Sequence, residues 1–317
     1  MAKKKLLWLG DAVASTGFAR STHRILEAFS LEEYEIAVVG INYWGDPHRY
    51  PYDIYPCLIN SDPFGIQRVE KLANQWCPDV IVIQHDHWNF KAYFDVIPNH
   101  IPIVGIVPVD GKHMQYATGL NRLTDAIFWC QFGQDEAKRC GYVGNSTVIP
   151  LGVDLEIYWP RGRRASRRAY GIPDDAFIVG SVARNNPRKR LDLTIEYVAE
   201  FIRRQRRDDI YLFMHCTDLT TNGWNIKELA RMWEIEGRVF RTSLDSYLGV
   251  SEDQLAEIYS TFDVQLSTAH GEGFGLPVLE GMACGVPQVV PDWSALGDWP
   301  RDGAIKVPCS QHTVIPA

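Results

Sequence analysis

Residues Asp263–Pro291 read DVQLSTAHGEGFGLPVLEGMACGVPQVVP. An apolar strand over Asp263–Ser267 runs into His270-Gly271-Glu272-Gly273-Phe274-Gly275. A helix over Leu276–Ala283 then carries Glu280, and Gly285 and Pro287 precede a further strand. Glycines in the turn let the backbone bend tightly and bring its N–H groups close to a ligand. Those groups cap a helix N-terminus, where unpaired donors and the helix dipole favour an anion, typically a phosphate. Leu276-Pro277 suits the first helical turn, because proline there loses no hydrogen bond.

A carboxylate beside a phosphate repels it, so Glu272 and Glu280 are better used on hydroxyls. Each can accept two hydrogen bonds from a vicinal diol such as those of a sugar or a ribose. One phosphate flanked by two diols is the layout of a sugar nucleotide. Positive charge comes from Ala183-Arg184-Asn185-Asn186-Pro187-Arg188-Lys189, which follows an apolar strand over Phe177–Ala183. Arg184 and Lys189 there would neutralise charge developing on a departing diphosphate. A glycosidase instead needs a carboxylic acid to protonate a poor leaving group.

Outward from this stretch, apolar runs alternate with amphipathic segments. Strands are expected at Lys5–Gly10, Glu35–Ile41, Asp79–Gln84, Pro102–Val107, Ala126–Cys130 and Thr147–Pro150. After residue 170 they recur at Phe177–Ala183, Ile210–His215, Arg238–Arg241, Asp263–Ser267 and Val286–Val290. Helices are expected at Phe18–Phe29, Ile66–Trp76, Gln134–Cys140, Leu191–Arg206, Asn225–Glu234, Glu252–Thr261 and Leu276–Ala283. Apolar strands separated by helices imply parallel sheets covered on both faces, hence doubly wound α/β domains. Two are expected, 1–155 and 156–317, with ligand at the carboxyl ends of the strands.

With 46% apolar and 12% aromatic residues in 317, the chain has enough material for two cores. It has no apolar run long enough to span a bilayer, and Leu6–Gly10 is too short for a signal peptide, so the cytoplasm is the expected compartment. Seven scattered cysteines form no zinc spacing and no disulfide framework. A net charge of −7 gives no global pull toward nucleic acid. Basic clusters at Arg161–Arg168, Pro187–Arg190 and Arg203–Arg207 are either solvated faces or contacts for a phosphate-bearing partner.

The Glu272-x7-Glu280 run inside HGEGFGLPVLEGMACGVP resembles the glutamate pair of family 4 retaining glycosyltransferases. Arg184 with Lys189 resembles their arginine–lysine pair, Ile149–Asp154 (IPLGVD) their interdomain signature, and SEDQLAEIYSTFDVQLS the segment before their glutamate motif. The resemblance is strong over residues 145–292. It implies a GT-B fold of two Rossmann-like domains, the N-terminal one for the acceptor and the C-terminal one for a nucleoside diphosphate sugar. It implies Glu272 at the donor sugar, Glu280 at the ribose, and Arg184, Lys189 and the backbone of Gly273, Phe274 and Gly275 at the diphosphate. Gly17 in DAVASTGF would match the glycine loop that meets the diphosphate from the N-terminal domain. His85-Asp86 resembles the family's histidine near the transferred sugar.

Three departures stand against it. Arg190 occupies the place of a glycine after the lysine, Gly297-Asp298 replaces a proline–glutamate, and the sequence stops at Ala317 before the family's C-terminal helices.

His85, Asp86 and His87 could also be a metal site, since alternate residues of a strand project to one side. No further ligand cluster accompanies them, and no Asp-x-Asp occurs to hold a divalent ion against phosphates, so neither metal nor cofactor is expected. The implied activity is metal-independent, anomer-retaining transfer of a sugar to an unidentified hydroxyl. Hydroxylated bases of DNA are one acceptor suggested by the basic clusters. A catalytically silent sugar-nucleotide-binding protein and a non-hydrolysing sugar-nucleotide epimerase are the competing expectations.

Overall fold

The computed structural model describes residues 2–14, 16–59, 61–217, 222–242 and 249–310. The chain divides into two compact units, Met1–Leu151 and Gly152–Ala317. The expected boundary, after Leu155, falls inside the second unit. Tyr158 is buried in that unit's core, and Val153 and Ile157 pack against the same cluster. The IPLGVD segment therefore straddles the division.

The first unit is a seven-stranded parallel sheet. Its strands are β1 (Lys4–Asp11), β2 (Tyr34–Ile41), β3 (Asp53–Pro56), β4 (Val80–Gln84), β5 (Ile103–Ile106), β6 (Asp125–Phe128) and β7 (Ser146–Val148). They lie in the order β3-β2-β1-β4-β5-β6-β7. The second unit has β8 (Phe177–Val182), β9 (Ile210–His215), β10 (Val239–Arg241), β11 (Val264–Leu266), β12 (Gln288–Asp292) and β13 (Ala304–Pro308). Their order is β10-β9-β8-β11-β12-β13, again all parallel. In each sheet the chain winds outward one way and then restarts on the other side of its first strand. The winding reverses between β1 and β4, and between β8 and β11. Those reversals leave a crevice beyond the strands' carboxyl ends, where doubly wound sheets bind ligands.

Alternation along the strands covers both faces of the second sheet. Ile178 and Phe213 lie in one core cluster with Tyr259 and Phe262. Their neighbours Val179, Leu212 and Met214 lie in the other, under Leu191, Ile195 and Val198 of the Leu191–Gln205 helix. In the first unit Leu7, Leu9, Ile81 and Ile83 are buried on one face and Leu6 and Trp8 on the other, as a sheet covered on both sides requires.

The Arg161–Arg168 cluster is largely neutralised by this packing. Arg163 Nη1 and Arg167 Nη2 each lie 2.6 Å from an Asp263 carboxylate oxygen. Arg167 is 3% exposed and also donates to the carbonyls of Thr261 and Asp174, both at 3.1 Å. Asp263 in turn accepts from the Ile178 amide at 2.7 Å, so the pair pins β8 beside the segment entering β11. Arg167→Met should leave that carboxylate with one arginine and two carbonyls without their donor. We expect the second unit to lose about 3 kcal/mol and the melting temperature to fall by roughly 6 °C or more. A shift below about 2 °C in calorimetry, at the precision these scales allow, would show that Arg163 alone carries the contact.

Candidate functional site

In the second unit, the loops leaving β8 and β11 flank the reversal. The loop after β11 ends at Gly275, whose φ of 91° is left-handed and whose added Cβ would stand 2.7 Å from Leu296. Glycine alone meets both conditions. The Leu276–Ala283 helix begins there with proline in its first turn and no side-chain cap. Phe274 is stacked on Trp299 at 4.9 Å, and Trp299 Nε1 donates to the Phe274 carbonyl at 2.6 Å. The turn is thus held from behind.

Glu272 is 9% exposed. Its carboxylate takes Lys189 Nζ on Oε1 and, on Oε2, Arg188 Nη1 at 3.2 Å. Arg188 donates also to the Gly271 carbonyl, and the Glu272 amide donates to Ser294 Oγ at 2.9 Å. Burial pushes the Glu272 carboxyl up, but Lys189 and Arg188 outweigh it and hold the group below the ordinary carboxylate range. Two residues supporting this loop have left-handed backbones without being glycine: Arg190 (φ 48°) and Ser294 (φ 52°). Such residues store about 1–3 kcal/mol each and persist where surrounding contacts over-determine them.

Arg184 and Lys189 were expected together at a donor diphosphate, which leaves open what holds Glu272. In the structure the second cation on Glu272 is Arg188, while the Arg184 side chain is solvent-exposed. The two glutamates also differ more than their spacing suggests. Glu280 is 1% exposed, and its Oε2 accepts from Tyr259 at 2.7 Å, inside the layer where the Glu252–Tyr259 and Leu276–Ala283 helices meet. Gly273, Phe274 and Gly275 stand together at the helix start, Phe274 with its ring buried.

In the first unit, Gly17 opens the Gly17–Leu26 helix directly after β1. Thr16 caps that helix, accepting from the Ala19 amide at 3.0 Å, and donates to Asp11 at 2.7 Å. Gln84, the last residue of β4, donates to the Phe18 carbonyl at 3.1 Å and to Ser21 Oγ at 2.7 Å. The Gly17 turn and the β4 end that leads to His85 are thereby tied together. His85 is buried beside Phe64 and Tyr93. Its Nδ1 accepts from the Asp86 amide at 2.7 Å and faces Asn89 Nδ2 at 2.9 Å, so its proton sits on Nε2. Burial brings its pKa down to about 4, which makes it a neutral hydrogen-bond donor at pH 7. Asp86 contributes its amide to this arrangement and begins the short His87–Asn89 turn. Among the described residues, no group of three or more His, Cys, Asp or Glu side chains could hold a metal ion.

The family model described as Glycosyl transferases group 1 matches residues 162–307, nearly all of the second unit. The second unit is a group 1 glycosyltransferase domain. The chain is 32% identical over 157 residues to the D-inositol 3-phosphate glycosyltransferase of Geodermatophilus obscurus, covering 49% of this chain and 35% of that protein. It is 33% identical over 164 residues to the enzyme of the same name from Kineococcus radiotolerans, covering 50% and 35%. The matches therefore span about a third of those relatives' length. Among solved structures, HepE of Anabaena in complex with UDP-glucose superimposes with a TM-score of 0.71 at 17% identity, covering 96% of this chain and 85% of that one. Sucrose-phosphate synthase from Thermosynechococcus elongatus gives 0.70 at 16%, covering 93% and 82%. These likenesses show the fold, GT-B with its two Rossmann-like sheets. No helix among the described residues is long and apolar enough to cross a membrane.

Arg188 and Ser294 were not singled out in the glycosyltransferase motif. Arg188 lay in plain view within PRKR, but only the geometry separates it from Arg184. The Glu272–Lys189 pair has a pH signature. A carboxyl held below its ordinary value contributes stability that is present above the unfolded pKa and lost as pH falls through the folded one. Lys189→Met should therefore destabilise by about 3 kcal/mol at pH 7, and the gap should narrow as pH drops from roughly 5 toward 3. Denaturant melts at both ends of that range decide it; a gap that does not change with pH would mean Glu272 is not held down by Lys189.

Proposed function

We propose that the protein transfers a sugar from a nucleoside diphosphate donor to a hydroxyl acceptor, with retention of anomeric configuration and without a metal ion. The supporting observation is Glu272: a carboxylate flanked by Lys189 and Arg188, at the start of a helix with no side-chain cap, beside the reversal in strand order. Cations and a helix N-terminus suit a diphosphate, and a carboxylate among them suits positive charge on a sugar ring. Before donor arrives these charges neutralise one another. The donor's phosphates take over Lys189, Arg188 and the exposed Arg184, and Glu272 is freed to face the sugar.

As the bond from the anomeric carbon to the phosphate oxygen breaks, its electron pair leaves with the diphosphate, where the cations and backbone amides receive it. The ring becomes oxocarbenium-like and Glu272 stabilises it. The acceptor oxygen attacks on the face the phosphate vacates, and its proton passes to the leaving phosphate oxygen. His85, neutral with its proton on Nε2, is a donor suited to a sugar hydroxyl, and the Gly17 turn suits close backbone approach of a ligand. Glu280 holds the ribose with the carboxylate that Tyr259 orients. HepE, solved with UDP-glucose, makes uridine the first base to try.

For the acceptor, the arginine clusters give less support to DNA than their sequence did. Arg161, Arg163 and Arg167 lie against Asp253 and Asp263, Arg203 and Arg204 against Glu200, and Arg207 against Asp209.

Incubation with a panel of labelled nucleotide sugars in EDTA should release nucleoside diphosphate and give a product of unchanged anomeric configuration by NMR. Activity restored only by magnesium or manganese would remove metal independence, and an inverted product would remove the mechanism. Donor binding without turnover would favour the silent binding protein, and an epimerised donor the epimerase. Within the reaction the glutamates should separate. Glu272→Ala removes a contact that strengthens in the transition state and should lower kcat by ~10²-fold or more. Glu280→Ala removes one equally strong before and during reaction and should mainly raise donor KM. Near-normal kcat in Glu272→Ala, with donor binding intact, would displace the reacting centre from this carboxylate.

A further inference from the structure

Arg190 lies between the short Pro187–Lys189 turn and the Leu191–Gln205 helix, with φ 48° and ψ 49°. An arginine gains nothing from a left-handed backbone, so its side chain is the place to look for the compensation. Nε and Nη2 grip the Asp192 carboxylate at 2.9 and 2.8 Å, and Nη1 reaches His270 Nε2 at 2.7 Å. The His270 amide donates to the Arg188 carbonyl at 2.8 Å. Thr268 Oγ1 donates to the Arg190 carbonyl at 2.8 Å and lies 2.7 Å from Thr194 Oγ1. Segment 268–272 is therefore stitched to segment 188–194 by backbone and side chains alike, and His270 stands two residues before Glu272.

We infer that Arg190 is a positioning residue for Glu272: oriented by Asp192, its guanidinium holds His270 and so fixes where Gly271-Glu272 stand against Lys189. Only a planar fork of donors can serve a carboxylate and an imidazole at once; a lysine ammonium on its flexible stem cannot hold both in one geometry. The left-handed backbone is what aims the fork at His270. In this assignment Arg190 touches no substrate and acts through His270. Its catalytic consequence rests on the donor reaction proposed above, whereas its hold on the loop does not.

The test uses the full chain and Arg190→Gly, which keeps the backbone comfortable and removes the side chain, with Arg190→Lys, which keeps the stem and a charge, and His270→Ala beside it. Three quantities are measured: amide hydrogen exchange of segment 268–276, kcat and KM for the donor found in the nucleotide-sugar panel, and binding of inorganic pyrophosphate. For Arg190→Gly we expect cooperative unfolding, exchange in 268–276 faster by about tenfold, and kcat lower by about tenfold or more, because a loop displaced by an ångström misplaces the carboxylate. Pyrophosphate affinity should stay within about threefold, since the phosphate-binding cations remain. Arg190→Lys should resemble Arg190→Gly, and His270→Ala should add little to it, as residues acting through one contact are non-additive.

Wild-type exchange and kcat in Arg190→Gly, or full additivity with His270→Ala, would overturn the inference. If the native chain neither binds pyrophosphate nor turns over any donor, the donor reading fails. The exchange result then still decides the lock: faster exchange supports it and unchanged exchange overturns it. Should Arg190→Gly not fold, His270→Ala carries the same two outcomes.

Discussion

The site in the second unit depends on keeping an ionised carboxylate where little water reaches it. Glu272 is nearly buried, and a carboxylate in that position is tolerated only with compensating charge and hydrogen bonds. Lys189 and Arg188 supply the charge from the loop after β8, and Glu272 itself hangs from the loop after β11. The two strands are adjacent in the sheet although they are far apart in sequence. The sheet's winding therefore has to reverse at this point for the pair to form at all. Fold and chemistry are the same constraint here, because a strand inserted between β8 and β11 would part the cations from the carboxylate.

Holding that geometry falls to a second layer that works against local backbone preference. Ser294 and Arg190 both take left-handed conformations, one to receive the Glu272 amide and the other to reach His270. Trp299 backs Phe274, and Gly275 lets the helix start directly behind the turn. Residues in such conformations persist only where surrounding contacts over-determine them, so these two mark where the loop is held hardest. The burial of Glu280 follows the same logic from inside the helix, where Tyr259 fixes its carboxylate.

Much of this was legible before any coordinates. Apolar runs such as LLWLG and VIVIQ give buried parallel strands because nothing else buries four or five consecutive apolar residues between helices. The glycine turn, the helix that starts behind it and the pairing of a strand end with basic residues are local patterns, and they were readable. Two edge strands were not. β3 (DIYP) and β13 (AIKVP) are short, end in proline and are partly exposed, which is how edge strands look and also how loops look. Ile305 is 69% exposed, so no burial pattern marked its strand. The choice between Arg184 and Arg188 was equally hidden. Both follow the same strand, and only the turn over Pro187–Lys189, fixed by Asn186 accepting from the Lys189 amide at 3.2 Å, decides which guanidinium faces inward. Contacts such as Arg190–His270, eighty residues apart, leave no local trace.

The two units repeat one winding, reversing beside the first strand of each sheet, and they place different groups at the two reversals. At the reversal in the second unit the polar groups are ionised: Glu272 against Lys189 and Arg188. At the reversal in the first unit, His85 has a pKa near 4 and carries its proton as a neutral donor. Asp11 takes hydrogen bonds from Thr16 and Asn42. A neutral imidazole N–H can orient a hydroxyl, whereas cations at a helix N-terminus meet the charge of a diphosphate. In the proposed reaction the charge of a departing diphosphate would therefore fall to Lys189 and Arg188 of the second unit, the cations that already stand against Glu272.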